Sequence, residues 1–193
     1  MEILTFIISM IFYINLYGLF DKKIYYNVIH SLIYSVCTIF ATFIENNSSN
    51  LDFFYKLVLI QEIGYNVTDI ILNTKKTNGK YLNHHFFVLI IIFVSLLNKV
   101  DEDLTFFSIG IVQFGNIFYH MARLKIIDNR YSFIFYSLSN IVTFVYLYYN
   151  LNFNFMNEDK YLAHSVMNLS AISILIWRLN ESGKMYKLLN LKN

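Results

Sequence analysis

Apolar residues along this chain come in long runs separated by short polar clusters. The runs lie near Ile3 to Phe20, Tyr25 to Ile44, Phe53 to Asn73, Tyr81 to Asn98, Leu104 to Leu124, Tyr131 to Leu151 and Tyr161 to Leu179. A helix needs about 20 mainly apolar residues to cross the hydrocarbon core of a bilayer, and each run approaches that length. The pattern predicts an all-α, polytopic membrane protein of about seven transmembrane helices. No internal repeat, low-complexity segment or long linker interrupts it. Residues 1–21 read as the first transmembrane helix, 22–180 as one transmembrane domain and 181–193 as a tail.

Composition sharpens this picture. Only 15% of the 193 residues are charged and 56% are hydrophobic, whereas a soluble domain carries roughly 25% charged residues. Seven spans consume about 140 residues and leave about 50 for all loops and both ends. A soluble catalytic domain has no room, so any chemistry sits within or at the edge of the bilayer. The net charge of +2, from 15 basic and 13 acidic residues, is too balanced for the electrostatic footprint of a nucleic-acid binder. The lone Cys37 lies inside an apolar run and reads as a packing residue. The apolar start lacks the basic region and cleavage site of a signal peptide, so it is expected to remain as a span.

Charge placement orients the spans. Lys22, Lys23, Lys75, Lys76, Lys80, Arg123, Lys125, Arg130, Arg178, Lys184, Lys187 and Lys192 fall in one alternating set of segments. The other set holds only Lys56, Lys99 and Lys160, with the acids Glu45, Asp52, Asp101, Glu102, Asp103, Glu158 and Asp159. Basic residues are retained on the cytoplasmic side, so the N-terminus is expected in the lumen and the C-terminus in the cytoplasm. The sequons at Asn46 and Asn47 then fall in a lumenal loop, close to the membrane.

Polar residues inside the runs are candidates for function, because a carboxylate at the centre of a span costs about 2.5–3.5 kcal/mol on insertion scales. Glu62, Asn66, Asp69 and Asn73 share one helical face of the third span, and Gln113, Asn116, His120 and Arg123 share one face of the fifth. His84 and His85 open the fourth span, and His30 lies in the second. At about 1.5 Å per residue, His30, Asp69, His84, His85 and His120 lie within roughly 10 Å of the cytoplasmic ends of their spans. Glu62 and Gln113 lie deeper, and His164 and Asn168 lie toward the lumen. Arg123 and Arg178 read as anchors that reach for the interface, and most Tyr and Phe as lipid-facing bulk. Adjacent histidines point about 100° apart and do not chelate one metal together, so no metal site is expected. A histidine oriented by a carboxylate suits general-base or nucleophilic work, which makes acyl transfer the natural class, with His84, His85 and Asp69 as candidate catalytic residues. His30, Glu62, Asn66, Gln113, Asn116 and His120 are the candidate substrate-binding residues.

The stretches Val28-Ile29-His30-Ser31, Gly64-Tyr65-Asn66-Val67-Thr68-Asp69, Leu82-Asn83-His84-His85 and Gln113 to Arg123 occur in an order that resembles the TLC domain family. This family includes ceramide synthases, the translocating-chain-associating membrane protein and small lipid-regulating membrane proteins. The resemblance covers about Lys22 to Leu179 and is nearest in style to the small members. It implies a six-helix barrel plus an extra first helix, in the endoplasmic reticulum or a related endomembrane, with a lipid-accessible cavity open to the cytoplasm. It also implies acyl-CoA as co-substrate, no bound cofactor, membrane lipids as partners and, at most, a second copy of the chain in a homodimer. By the same analogy His84 or His85 takes up the acyl group or removes a proton, and Asp69 orients the site. The chain departs from the family at Gln113, where the smaller members keep a Glu, and at Gly115 and Asn116, where a proline is common. Two functional expectations follow, an acyltransferase-like enzyme and a non-catalytic lipid-binding or membrane-composition protein. A fatty-acid elongase ranks below both, because its histidine box needs a His where Tyr81 stands.

Overall fold

The computed structural model describes residues 2–20, 23–43, 48–73, 79–98, 102–154 and 161–190. They form seven helices: α1 Glu2–Leu19, α2 Lys23–Phe43, α3 Ser48–Asn73, α4 Gly79–Asn98, α5 Glu102–Arg123, α6 Asn129–Asn154 and α7 Tyr161–Asn190. The sequons at Asn46 and Asn47 lie outside the described residues. So do Lys22, Lys75, Lys76, Lys99, Lys160, Lys192, Glu45, Asp101, Glu158 and Asp159 of the loop charges. Each apolar run is a helix, and the largest difference is α7. The run ends near Leu179, yet the helix continues to Asn190 through most of the expected tail. No proline stops it, and Glu181 pairs with Lys184 one turn later, a spacing that supports helix.

Six helices contact one another in a closed order: α2 on α5, α5 on α6, α6 on α7, α7 on α4, α4 on α3, and α3 back on α2. Inside this ring α5 also touches α3 and α4, while α1 lies outside, chiefly against α3. Two glycines set the approach distances. A Cβ at Gly64 would collide with the Ser9 side chain of α1, and one at Gly110 would collide with Thr38 of α2. Small residues at such crossings bring helix backbones close, and dispersion then holds them.

The α5–α6 turn is specified locally. Ile126 N donates to Met121 O and Lys125 N donates to Ala122 O, with Lys125 at φ 61°. This is a Schellman cap with lysine in the left-handed position that glycine usually takes. Asp128 then caps α6 through a bond from Arg130 N to its Oδ1 at 2.7 Å.

The radial distribution of polarity is inverted. Ile3, Leu97, Ile141 and Leu162 are exposed by 60–80%, while His30, Glu62, Asn66, Asp69 and Asn73 are each 2% exposed or less. A buried apolar cluster built on Tyr34, Leu59, Ile92 and Phe106 fills the other half of the ring. Tyr13, Tyr26 and Tyr65 form a second cluster between α1, α2 and α3. Some aromatics depart from the expected outer position, with Tyr13, Tyr26, Tyr34 and Phe106 fully buried, while Phe40, Phe86, Tyr131 and Phe144 are exposed on the outer faces. Among the described residues, α1, α2 and α7 are long and apolar enough to cross a membrane, and Leu82–Asn98 of α4 is a shorter apolar stretch. The windows of α3, α5 and α6 are less apolar because these helices carry the inward-facing polar residues.

Candidate functional site

The polar stripe of α3 organises the interior. Glu62 accepts from Asn66 Nδ2 at 3.0 Å and Gln113 Nε2 at 3.2 Å through Oε1, and pairs through Oε2 with His30 Nε2 at 3.0 Å. Three donors from α2, α3 and α5 thus converge on one buried carboxylate, the arrangement a charged group needs away from water. His30 lies flat against Tyr65, with ring centroids 3.3 Å apart, and its Nδ1 is 2.9 Å from the Tyr13 hydroxyl. Gln61 donates to that same hydroxyl. Tyr13 accepts from Gln61 and is left with its own proton facing His30 Nδ1, while His30 Nε2 lies between Glu62 Oε2 at 3.0 Å and Gln113 Nε2 at 3.1 Å. Gln113 completes the knot by accepting from Ser31 Oγ at 2.8 Å and from Asn116 Nδ2 at 3.1 Å.

Two turns along α3, Asp69 gathers a second set. Lys23 Nζ lies 3.1 Å away, His85 Nε2 3.0 Å and Asn73 Nδ2 2.7 Å. The two sets are joined by Asn66. Its amide nitrogen donates to the Glu62 backbone and side chain, so its oxygen faces His85 Nδ1. The two ring nitrogens of His85 thus lie beside oxygens of Asn66 and Asp69. His84 differs. Its ring stacks on Trp177 of α7 at 4.4 Å, and its Nδ1 has no hydrogen-bond partner. The turn between adjacent helical residues has divided the pair into a fixed member and an available one.

The sequence reading missed the third set. Arg178, expected as an interfacial anchor, is fully buried. It donates to Asn116 Oδ1 at 2.6 Å, Ser139 Oγ at 3.1 Å and Val112 O at 3.5 Å, and also to Asn140 Oδ1. Its guanidinium carbon lies 4.1 Å from the centroid of Tyr136. A planar fork with five donors can satisfy several neutral acceptors at once, which makes burial tolerable. A signal for this set existed in α6: Ser132, Tyr136, Ser139, Asn140 and Thr143 share one face, and all are buried. Through Asn116, Arg178 connects to Gln113 and so to Glu62, giving one continuous polar network from Lys23 on α2 to α6 and α7.

The network borders a cavity of about 1090 Å³ inside the ring. One end is basic, with Lys23, Arg123, Lys184 and Lys187, beside Glu181. His84, His85, Asn66, Glu62, Gln113, Asn116 and His120 line the next level, and Val88, Ile91, Ile109, Val112, Ala171, Ile174 and Leu175 make an apolar stretch beyond. The structure thus brings His84, His85, Asp69, Glu62, Asn66, Gln113, Asn116 and His30 into one network or onto the cavity wall. His120 also reaches the cavity, where its Nδ1 has no hydrogen-bond partner. Arg123 is exposed and sits 5.8 Å from the Tyr119 ring centroid. His164 is buried toward the start of α7. Among the described residues no group of three or more His, Cys, Asp or Glu side chains could hold a metal ion.

No family model matches the chain, no curated protein matches its sequence, and no solved structure matches its fold.

Proposed function

We propose that this is a multi-pass membrane protein of the TLC type that takes a lipid into the ring cavity and transfers an acyl group there, with His84 as the reactive histidine. Support for the membrane setting comes from the inverted polarity: the outer faces are apolar, and charged and amide groups are buried. Such a distribution is stable when hydrocarbon surrounds the protein and unstable when water does. In this reading all seven helices cross an endomembrane, the N-terminus is lumenal, and the cavity opens to the cytoplasm between Lys23, Arg123, Lys184 and Lys187. The ring of six helices with α1 outside supports the TLC reading, which otherwise rests on the sequence motifs.

The cavity itself carries the functional reading. A basic mouth, a histidine level and an apolar depth match an amphiphile with an anionic head, a carbonyl near the head and a hydrocarbon tail. Acyl-CoA has this form. His84 would remove the proton from the amine or hydroxyl of the acceptor lipid as that atom bonds to the acyl carbonyl carbon. The thioester C–S bond breaks, and the departing thiolate takes up the proton from His84. Asp69 and Asn66 hold His85 against α3, so His85 fixes the start of α4 and thereby the position of His84. Glu62, His30, Gln113, Asn116 and His120 would shape the acceptor side.

A second reading, a lipid-binding protein without catalysis, is favoured by two observations. His85 has oxygens of Asn66 and Asp69 beside its ring nitrogens, and the family's carboxylate on the fifth span is here the amide of Gln113. Lipid extracts from cells expressing wild type or His84→Ala separate the readings. A lipid class lost with the variant supports acyl transfer. Identical profiles, with the same lipid copurifying with both proteins, support binding alone.

A further inference from the structure

We propose that the cavity has a second polar site at the end away from the basic mouth, formed by Thr105, Ser108 and Asn168, and that it receives a hydroxyl group at the far end of the bound lipid's chain. This rests on the reading that the cavity takes a lipid, and it narrows which lipid.

Thr105 and Ser108 lie one turn apart on α5, are 2% and 8% exposed, and line the cavity. Neither hydroxyl has a hydrogen-bond partner, and the Oδ1 of Asn168, which lines the same cavity from α7, has none either. Buried helical serines and threonines usually turn back onto the carbonyl one turn earlier. Thr143 does so in this protein. Thr105 and Ser108 do not, and unlike Ser35, Thr68, Ser132 and Ser137, whose hydroxyls are also unpartnered, they line the cavity. A buried hydroxyl without a partner is destabilising until one arrives, and plain hydrocarbon would leave all three atoms unsatisfied.

The spacing fits a long chain. Asn168 precedes Lys184 by 16 residues on α7, and Ser108 precedes Arg123 by 15 on α5, which is about 22–24 Å between the two polar ends. Apolar side chains such as Val112, Ala171 and Leu175 line the stretch between. A hydroxyl suits the inner end best, since it can meet either kind of group there, donating as Asn168 Oδ1 requires or accepting as Thr105 and Ser108 require, whereas a carbonyl can only accept.

The test uses palmitic acid and its ω-hydroxy derivative, measured against the full-length protein in lipid nanodiscs by competition with labelled palmitate. Wild type should prefer the hydroxylated acid by about tenfold, the effect of one to two hydrogen bonds. The double variant Thr105→Val, Ser108→Ala should lose that preference while keeping its affinity for palmitate, which also shows that its cavity is intact. Equal affinity of wild type for the two acids, or a preference that survives in the double variant, overturns the inner site alone. Failure of wild type to bind either acid overturns the lipid-cavity reading and the inner site with it.

Discussion

Replacing Arg178 by lysine or by methionine tells a buried fork from an interfacial anchor. An anchor that reaches for the interface uses only its charge and length, so lysine would replace it at little cost. In the structure the guanidinium is fully buried, bonds to Asn116, Ser139, Asn140 and Val112, and covers Tyr136 at 4.1 Å. Interhelical hydrogen bonds in membrane bundles average about 0.6 kcal/mol and reach about 1.7. A buried cation–π contact adds about 0.5–2 kcal/mol. Desolvation of the cation offsets part of this total, so Arg178→Met should destabilise by about 2–4 kcal/mol. Lysine should cost at least as much, because an ammonium cannot span the fork and stays buried with unmet acceptors around it. The assay is reversible unfolding in mixed micelles, followed by helical circular dichroism. A lysine variant within about 0.5 kcal/mol of wild type would refute the buried fork.

Four further outcomes follow from the geometry. His85→Ala, which strips partners from Asp69 and Asn66, should destabilise by about 2–4 kcal/mol, whereas His84→Ala, which removes only a stacked ring, should cost about 1 kcal/mol; the same unfolding assay reads both. Gly110→Ala should destabilise by about 1–3 kcal/mol through collision with Thr38, and Thr38→Gly in the same chain should recover part of that loss, measured as a double-mutant cycle. At the α5–α6 turn, Lys125→Gly should raise stability by about 0.5–1 kcal/mol by relieving the left-handed residue. Asp128→Ala should lower it by about 1 kcal/mol by removing the α6 cap. Thermal midpoints in detergent rank the last two.

The sequence revealed the helices and part of the site for physical reasons that also explain what it hid. A polar residue in an apolar run costs so much that its spacing marks an inward face, and Glu62, Asn66, Asp69 and Asn73 on α3 are joined through their side chains as that spacing suggested. The partners were harder to see. Tyr13 looks like lipid-facing bulk until the fold lays α1 against α3, where its hydroxyl meets His30 and Gln61. Arg178 stands near the end of an apolar run, where an anchor would stand. Only the unbroken continuation of α7 to Asn190 and the small polar face of α6 place it inside. Likewise, adjacency shows that His84 and His85 diverge but not which of them meets Asp69, since that depends on how α4 is rotated against α3.

The central claim is that the ring encloses a lipid. Native mass spectrometry of protein extracted in mild detergent tests it most directly, with Ala171→Trp as comparison, because Ala171 lines the apolar stretch of the cavity and is half-buried. The account predicts that wild type carries a single lipid per chain into the gas phase and that Ala171→Trp, folded to the same helical content, does not. A wild type free of lipid, or an Ala171→Trp protein with the same lipid still bound, would contradict it.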